Sequence, residues 1–285
     1  MGSLAYDHVQ NHTTGSFRPG TIPSVAATSS ASNFDSDAEV FFTAAGITDA
    51  TQKSAVNILV LGLKSNSIWT KMRAIYPFVG GSAGSHAVNL KSPGTYNITW
   101  SGTVTHSSTG VQGNGSTGYG DTGLNPRSLM VDHSAHISAY LRTDSAANDM
   151  EVAGGDGTYA LLMRGKWTDN IAYGYNNSRD GIDAAKIAAA NNPSSAAMYV
   201  SSRNTRYDGA IYRNGVAGSL ATDNVGWLQP NANMYVLARN NAGTAVNYSS
   251  RSVAFISIGD GLTATDVSNL YTLVQAYQTT LGRQV

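Results

Sequence analysis

The sequence is notable first for its lack of cysteine and its low charge. None of its 285 residues is a cysteine. This absence excludes a disulfide framework, a thiolate-held zinc or iron–sulfur site, and catalysis by a thiol. Charged residues make up only 13% of the chain, and 18 basic residues balance 18 acidic ones. Because there is no net charge to attract nucleic acid or an anionic membrane, neither is expected as a partner.

Long apolar runs are also missing. The sequence contains no run approaching the roughly 18 apolar residues that a membrane-spanning helix needs, so no such segment is predicted. The chain is instead rich in serine, threonine, asparagine and glycine, with 30 glycines. This composition favours short strands that are joined by frequent turns.

The first 45 residues show no regular spacing of apolar side chains. Scattered polar residues and glycines dominate this segment, which therefore cannot bury a core of its own. We expect residues 1–45 to form an N-terminal arm. The arm is either a disordered tail or an extended segment that becomes ordered against neighbouring subunits, and the sequence leaves both alternatives open.

A helical pattern begins at Asp49. Asp49 and Gln52 can form a capping box, and apolar residues then recur at steps of three and four, namely Ala55, Val56, Leu59, Val60 and Leu63. These features predict a helix at about 49–66. Because Ile58 and Leu61 are apolar but lie outside the main stripe, the helix is expected to pack between two layers.

From about residue 91 the apolar period changes to two. Many short strands with turn signals between them predict a β-sandwich or jelly roll over residues 91–285. Asn214–Gly215 is the strongest hairpin signal, because a type I′ turn needs positive φ at both central residues. A second helix, capped by Thr263, is predicted at about 264–281. Residues 46–90 are interpreted as a helical connecting segment packed on the sandwich.

Several motifs resemble those of laminin-G-like and concanavalin-A-like jelly rolls. In chain order they are Asn114–Gly115 with Gly118–Tyr119, the hairpin Ile211–Gly215, the closing strand Phe255–Gly259 and the helix start Asp266–Tyr271. Their order and spacing agree with that family, and the resemblance implies a mainly β jelly roll. Such domains bind or assemble more often than they catalyse, so the resemblance implies no enzyme and no cofactor, although it allows a structural calcium.

Together with Lys71–Gly80, the same motifs are similar to virion proteins of tailed bacteriophages, particularly tail or receptor-binding components. This resemblance implies a structural protein of the virion, in a tail, fibre or capsid surface. It would act in assembly and in attachment to a glycan of the bacterial surface. The expected partners are other virion subunits, contacted through the arm, and further copies of the same chain.

The candidate glycan-binding residues are mainly aromatic. Trp167, Tyr173 and Tyr175 share one strand parity, and Tyr175 leads into a polar loop that starts at Asn176. Aromatic rings can stack on sugar faces while amides hydrogen-bond sugar hydroxyls. Trp227 is a further candidate. The alternative is that these rings belong to the core, as most aromatic rings in a sandwich do.

Two other functions remain as alternatives. One is a free carbohydrate-binding module, and the other is a polysaccharide-cleaving glycosidase. Glycosidases use two carboxylates about 5 to 9 Å apart. Asp149 and Glu151 are the only pair of carboxylates on a predicted strand in which one member is a glutamate. They are two positions apart, so both side chains should lie on the same face of the strand.

Two further patterns carry no predicted site. Gly80–Gly84 satisfies G-x-S-x-G, but a nucleophile elbow needs a helix directly after the serine, and none is predicted there. His133 and His136 stand three apart on a predicted strand and should point to opposite faces. No metal site is therefore expected from these histidines.

Overall fold

The computed structural model describes residues 34–179, 185–221 and 228–285. Its helices are α1 (Ser36–Ala45), α2 (Ala50–Ser65), α3 (Ala83–Ala87), α4 (Pro126–Leu129) and α5 (Ala264–Thr280). Helices α2 and α5 confirm the two predicted from the sequence. Among the helices of the described ranges, none is both long enough and apolar enough to cross a bilayer.

The caps of α2 and α5 follow the sequence signals. The side chain of Asp49 accepts a hydrogen bond from the backbone N–H of Gln52, at 2.8 Å. Thr263 and Asp266 form a reciprocal capping box at the start of α5. Each cap satisfies backbone donors that would otherwise have no partner in the first helical turn.

Helix α1 differs from the sequence prediction, which places these residues in an extended or disordered arm. Its N-cap is Asp35, whose side chain accepts from Asp37 N and pairs with Lys64 of α2. Phe41 and Phe42 are buried against the neighbouring helices. Residues 36–45 are therefore helical, whereas residues 1–33 of the predicted arm lie outside the described residues.

Helix α2 has one buried face. Ile58 and Leu61 are 55% and 48% exposed, so the prediction that α2 packs between two layers is wrong. The additional apolar side chains face solvent, while the stripe that includes Leu59 and Leu63 is buried. Burial is set by the stripe that meets α1 and α5, and not by the total number of apolar residues.

Seventeen strands are present among the described residues. They are β1 (Met72–Tyr76), β2 (Thr99–Ser101), β3 (Val104–Ser107), β4 (Gly110–Gly113), β5 (Tyr119–Asp121), β6 (Ala135–Leu141), β7 (Val152–Gly155), β8 (Tyr159–Arg164), β9 (Ala172–Arg179), β10 (Ala185–Ile187), β11 (Ala197–Arg203), β12 (Gly209–Arg213), β13 (Val216–Ala221), β14 (Tyr235–Val236), β15 (Arg239–Asn241), β16 (Thr244–Val246) and β17 (Ser252–Gly259). The strand β1 lies inside the segment predicted to be a helical connection, and it pairs antiparallel with β17. That segment therefore contributes a strand to the sandwich.

The strands form two sheets that are joined at one edge. In sheet A the order is β13–β12–β11–β6–β17, and both β1 and β4 pair along β17, with β3 beside β4. In sheet B the order is β10–β9–β8–β7, followed by β14, β5 and β2, with the β15–β16 hairpin also on β7. The strand β13 also pairs with β10, so the two sheets are nearly closed.

The molecule has three layers. Side chains from both sheets fill the space between them, including Ile137 of sheet A and Leu161 of sheet B. Helices α1, α2 and α5 pack on the outer side of sheet A, against side chains such as Tyr140 and Phe255. The outer side of sheet B lies on the opposite side of the molecule. Because side chains alternate along a strand, every second residue of sheet B points to this outer side and away from the core.

The β12–β13 hairpin confirms the turn signal in the sequence. Asn214 and Gly215 both have positive φ, 49° and 78°, as a type I′ turn requires. Arg213 pairs with Val216 across the turn. This hairpin fixes the register of β13, and hence the place where β13 reaches the second sheet.

Candidate functional site

The outer side of sheet B presents aromatic and cationic side chains. On β8 and β9, Leu161 and Ala172 point into the core, so the residues next to them in the strands point outward. We call the following set the open face: Arg164, Trp167, Tyr173, Tyr175 and Lys186. The three predicted aromatic residues on this stretch are therefore brought together on one surface. Trp167 and Tyr175 are half-buried, whereas Tyr173 is buried.

Two adjoining rings of the open face lie between two cations. The guanidinium carbon of Arg164 lies 4.3 Å from the ring centroid of Trp167. The rings of Trp167 and Tyr173 meet edge to face, with centroids 5.4 Å apart and planes at 79°. The Nζ of Lys186 lies 5.6 Å from the Tyr173 ring. Each cation is attracted to the electron-rich face of a ring, which fixes its position on the surface.

The phenol of Tyr173 is held in one orientation. Its hydroxyl donates to Oδ2 of Asp169 at 2.6 Å, and the other carboxylate oxygen accepts from the N–H of Ile171 at 2.9 Å. Burial, together with the hydrogen bond to Asp169, raises the pKa of Tyr173 to about 12. The phenol is therefore neutral at physiological pH and remains a hydrogen-bond donor to Asp169.

The segment that carries Trp167 is anchored by a buried ion pair. Glu151 and Arg251 form a salt bridge, and both side chains are 0% exposed. Glu151 also accepts from the N–H of Gly165 at 3.3 Å, and Arg251 donates to the carbonyl of Lys166 at 2.5 Å. Gly165 and Lys166, the two residues before Trp167, are thus hydrogen-bonded through their backbones to the buried side chains of Glu151 and Arg251.

Asp149 and Glu151, the carboxylates of the glycosidase alternative, are both engaged in the structure. Asp149 is buried and accepts from the N–H and hydroxyl of Ser250, at 3.0 and 3.1 Å. Burial is the largest influence on the pKa of Arg251 and lowers it, but the charge of Glu151, the hydrogen bond to it and the charge of Asp149 together raise that pKa, so the guanidinium stays charged. A fully buried, ion-paired carboxylate cannot reach a sugar, so the geometry gives this pair a structural role.

Asn176 does not lie on the open face, so its prediction as a glycan contact is wrong. It is 3% exposed, and its Nδ2 donates to the carbonyl of Ala135 in sheet A at 3.0 Å. The reason is the strand alternation, since Asn176 follows the outward-pointing Tyr175 and must point inward. Trp227, the remaining candidate, lies outside the described residues.

A groove of about 710 Å³ borders the open face at Lys186. We call it the edge groove. Its lining comes from β10, from the start of β13, from Arg213 and Asn214 of the hairpin, and from Ile171. The patterns of aromatic and acidic residues in the sequence do not indicate this groove. The two cations that line it are 27 positions apart, and the pairing of β13 with β10 brings their strands together.

A second aromatic cluster on the outer side of sheet B was also missed. The rings of Tyr119 and Tyr235 stack with centroids 4.8 Å apart, and the ring of Tyr248 lies 6.2 Å from that of Tyr119. Burial and the nearby Asp121 raise the pKa of Tyr235. The three tyrosines come from separate parts of the sequence, so no local pattern could have predicted that they meet.

The G-x-S-x-G segment also differs from its prediction. Helix α3 begins directly after Ser82, so a helix does follow the serine. The hydroxyl of Ser82 accepts from the N–H of Ser85 in a capping box. His86, the nearby histidine, is buried, and its Nδ1 lies 3.1 Å from Nδ1 of His106. Ser82 therefore caps the helix, and its hydroxyl contacts Ser85 and not the histidine.

The histidine pair considered as a metal site does not form one. His136 is buried in β6, where its Nδ1 lies 2.6 Å from the carbonyl oxygen of Asp260. His133 lies in the turn before this strand, with a φ of 68°. No group of three metal-ligating side chains occurs within residues 34–179, 185–221 and 228–285.

Comparison with known proteins identifies similar folds. The sequence matches no protein-family model and no curated protein. Domain 4 of AbnA, a GH43 extracellular arabinanase from Geobacillus stearothermophilus solved with arabinotriose, is 16% identical, with a TM-score of 0.43, over 70% of this chain and 98% of that domain. The CBM40 of the Ruminococcus gnavus IT-sialidase is 10% identical, with a TM-score of 0.37, over 49% and 82% of the two chains. These TM-scores are too low to assign the fold by themselves; the jelly-roll β-sandwich follows from the strand pairing of this chain.

The botulinum neurotoxin serotype D binding domain is another structural neighbour. It is 10% identical, with a TM-score of 0.47, and the alignment covers 73% of this chain and 53% of that one. At these identities the likeness concerns the fold. The binding properties of this chain must therefore be argued from its own side chains.

Proposed function

We propose that this protein binds carbohydrate on the open face and does not cleave it. The observation that carries the proposal is the row of Arg164, Trp167, Tyr173 and Lys186 beside the edge groove. A half-buried indole offers apolar area to a sugar ring, and the neighbouring cations offer N–H donors to its hydroxyls. The anchored segment before Trp167 would present the ring with little loss of conformational entropy on binding.

The binding reaction needs no catalytic group and no cofactor in this proposal. The one carboxylate pair that the sequence offered to a glycosidase is engaged in structural contacts. A calcium that stabilises a rim loop is compatible with the proposal. Treatment with a chelator would then lower thermal stability and leave the contacts of Trp167 unchanged.

The biological setting is proposed from the sequence resemblance alone. We propose that the protein is a component of a bacteriophage virion, in a tail, a fibre or the capsid surface, where glycan binding would serve attachment to the host. The part of the predicted arm that precedes α1 would contact other subunits, and the protein would assemble as a homo-oligomer. In this proposal glycan binding is the primary role and assembly the second, the reverse of the order that the sequence resemblance implies.

A binding experiment with a matched variant tests the proposal. The purified protein is passed over immobilised bacterial surface polysaccharides, and retention and the release of new reducing ends are both recorded. We expect retention without release, and at least about tenfold weaker binding for Trp167→Ala. Tyr207→Ala is the control, because Tyr207 is also an exposed ring beside an arginine, Arg206, but is not part of the open face.

Three outcomes would contradict the proposal. If the protein is retained on none of the polysaccharides, carbohydrate binding is excluded as its function. Equal loss in Trp167→Ala and Tyr207→Ala would show that the open face is not the site. Release of reducing ends would make the protein an enzyme and would require another catalytic pair.

A further inference from the structure

We infer that the edge groove selects an anionic saccharide, whose carboxylate or sulfate group binds between Lys186 and Arg213. The inference rests on the proposed function and adds the chemical class of the ligand. Among the described residues that line the groove, Lys186 and Arg213 are both cations and none is a carboxylate. A concave site lined by charge of one sign concentrates ions of the opposite sign.

Arg213 is held in place and has donor capacity to spare. Its Nη2 donates to the carbonyl oxygen of Ser194 at 3.0 Å. Its Nε is buried, so it is not among the donors that a ligand in the groove can reach, and its guanidinium also hydrogen-bonds the phenol of Tyr199. An arginine that is fixed in this way can offer its remaining N–H groups to a planar anion without first being ordered.

Lys186 is exposed, but its backbone is fixed on both sides. It pairs with Tyr173 of β9 and with Ser219 of β13. The hydroxyl of Ser219 accepts from the N–H of Lys186 and donates to its carbonyl, both at 3.2 Å. The ammonium group lies over the Tyr173 ring, so Lys186 links the open face to the edge groove.

Within the described residues, these two cations, Lys186 and Arg213, have no acidic partner in an ion pair. Asp169 lies in the turn before β9, and its two carboxylate oxygens accept hydrogen bonds from Tyr173 and Ile171. Two fixed cations without a counter-ion are suited to an anionic ligand more than to a neutral one.

Saccharides carry negative charge as carboxylates or as sulfate esters, and the groove chemistry fits either group. The probes are therefore polygalacturonate with its carboxyl-reduced form, and dextran sulfate with unmodified dextran. We expect the anionic member of at least one pair to bind at least about tenfold more tightly than its neutral partner. We also expect that this preference weakens as the salt concentration rises, because exposed charges are screened.

Variants of Lys186 and Arg213 test whether the preference for anionic saccharides arises in the edge groove. Lys186→Gln should reduce binding of the anionic probe by about tenfold, and Lys186→Arg should restore most of it. Arg213→Gln serves as the second variant, with folding checked by circular dichroism because Arg213 also donates to Ser194. Lys53→Gln is the matched control, since Lys53 lies over a ring of the helical layer, Phe42, at 5.8 Å.

The outcomes separate this inference from the proposed function. Equal binding of the anionic and neutral members would overturn the inference and leave carbohydrate binding in place. Anionic preference that survives both Lys186→Gln and Arg213→Gln would overturn the assigned groove. If no saccharide of any kind binds, the proposed function itself fails.

Discussion

The two outer sides of the sandwich are built in opposite ways. On the outer side of sheet A, three helices bury apolar side chains such as Phe41, Leu59 and Leu270. The outer side of sheet B has the open face, where Tyr173 is buried but Trp167, Tyr175 and Lys186 keep contact with solvent. Burial of apolar area stabilises the first side. The second side leaves apolar area uncovered, as a binding surface does.

The two sides also differ in what holds them in place. The helical side depends mainly on packing of hydrocarbon and aromatic side chains, although Gln278 of α5 also donates to the carbonyl of Ala254 in β17. The segment that presents Trp167 depends instead on the buried pair of Glu151 and Arg251. A binding surface that contributes little packing of its own can thus be made rigid by hydrogen bonds to charged groups beneath it.

The largest effect should come from a cavity on the helical side. Phe41→Ala is expected to lower the free energy of unfolding by about 4 kcal/mol, because it removes a fully buried ring. Val40→Ala, on the same helix but 56% exposed, is the control and should change stability little. Denaturant titration measures both. Similar losses in the two variants would show that the helical side is not held by packing.

A somewhat smaller loss of stability, combined with a loss of binding, should follow from Glu151→Gln. The change leaves Arg251 buried without its counter-charge, and we expect about 3 kcal/mol of destabilisation. Because Glu151 and Arg251 also tie down the segment before Trp167, glycan retention should fall in the protein that remains folded.

The control for this prediction is Glu39→Gln, at the only other glutamate in the sequence, which lies partly exposed on α1. Chemical denaturation gives the stability, and retention on the polysaccharide gives the binding. Full binding by folded Glu151→Gln would contradict the anchoring role of the pair.

The smallest difference between a variant and the parent protein is expected for His136, which separates the two sides by pH. Burial lowers the pKa of His136 to about 4, with Asp266 raising it and Lys71 lowering it further. The unfolded chain binds a proton near pH 6.5, whereas the folded protein does so only near pH 4. Stability should therefore fall as the pH drops from about 6.5 to about 4, and this group should cause no change above that range.

Binding at the open face should not follow the same profile, because lysine and arginine stay charged throughout. Urea midpoints at pH 7 and pH 4.5 test the stability, and retention at pH 7 and pH 5.5 tests the binding. His136→Gln should reduce the slope of stability against pH. It should not remove the slope, because burial also lowers the pKa of His86, to about 3. An unchanged slope in the variant would contradict the assignment to His136.

The sequence predicted the elements whose structure depends on residues close together in the chain. The apolar stripe and caps of α2 and α5 follow helical periodicity, and the Asn214–Gly215 turn follows from backbone preference. Strand parity predicted that Tyr173 and Tyr175 of β9 share one side, whereas Trp167 lies between β8 and β9 and reaches the same side through its contact with Tyr173. The inward direction of Asn176 follows from that parity, but the prediction treated Asn176 as the start of a loop.

The features that were missed depend on contacts between distant parts of the chain. Helix α1 is short, and its buried face becomes visible only when α2 lies against it. The edge groove exists because β13 turns from one sheet to the other and brings Arg213 near β10. The tyrosine cluster combines three separate segments. Such pairings are set by the whole fold and leave no signal in a short window of sequence.

The junction of the two sheets has a dynamic consequence. Within the described residues, β10 and β13 are joined through the single residue pair Lys186 and Ser219. A seam this narrow opens at a lower free energy than the central strands, so its amide protons should exchange with deuterated solvent early. A ligand that spans the seam would have to leave before the strands part. Slower exchange at Lys186 would therefore report occupancy of the groove directly, even for a ligand whose chemical identity is not known.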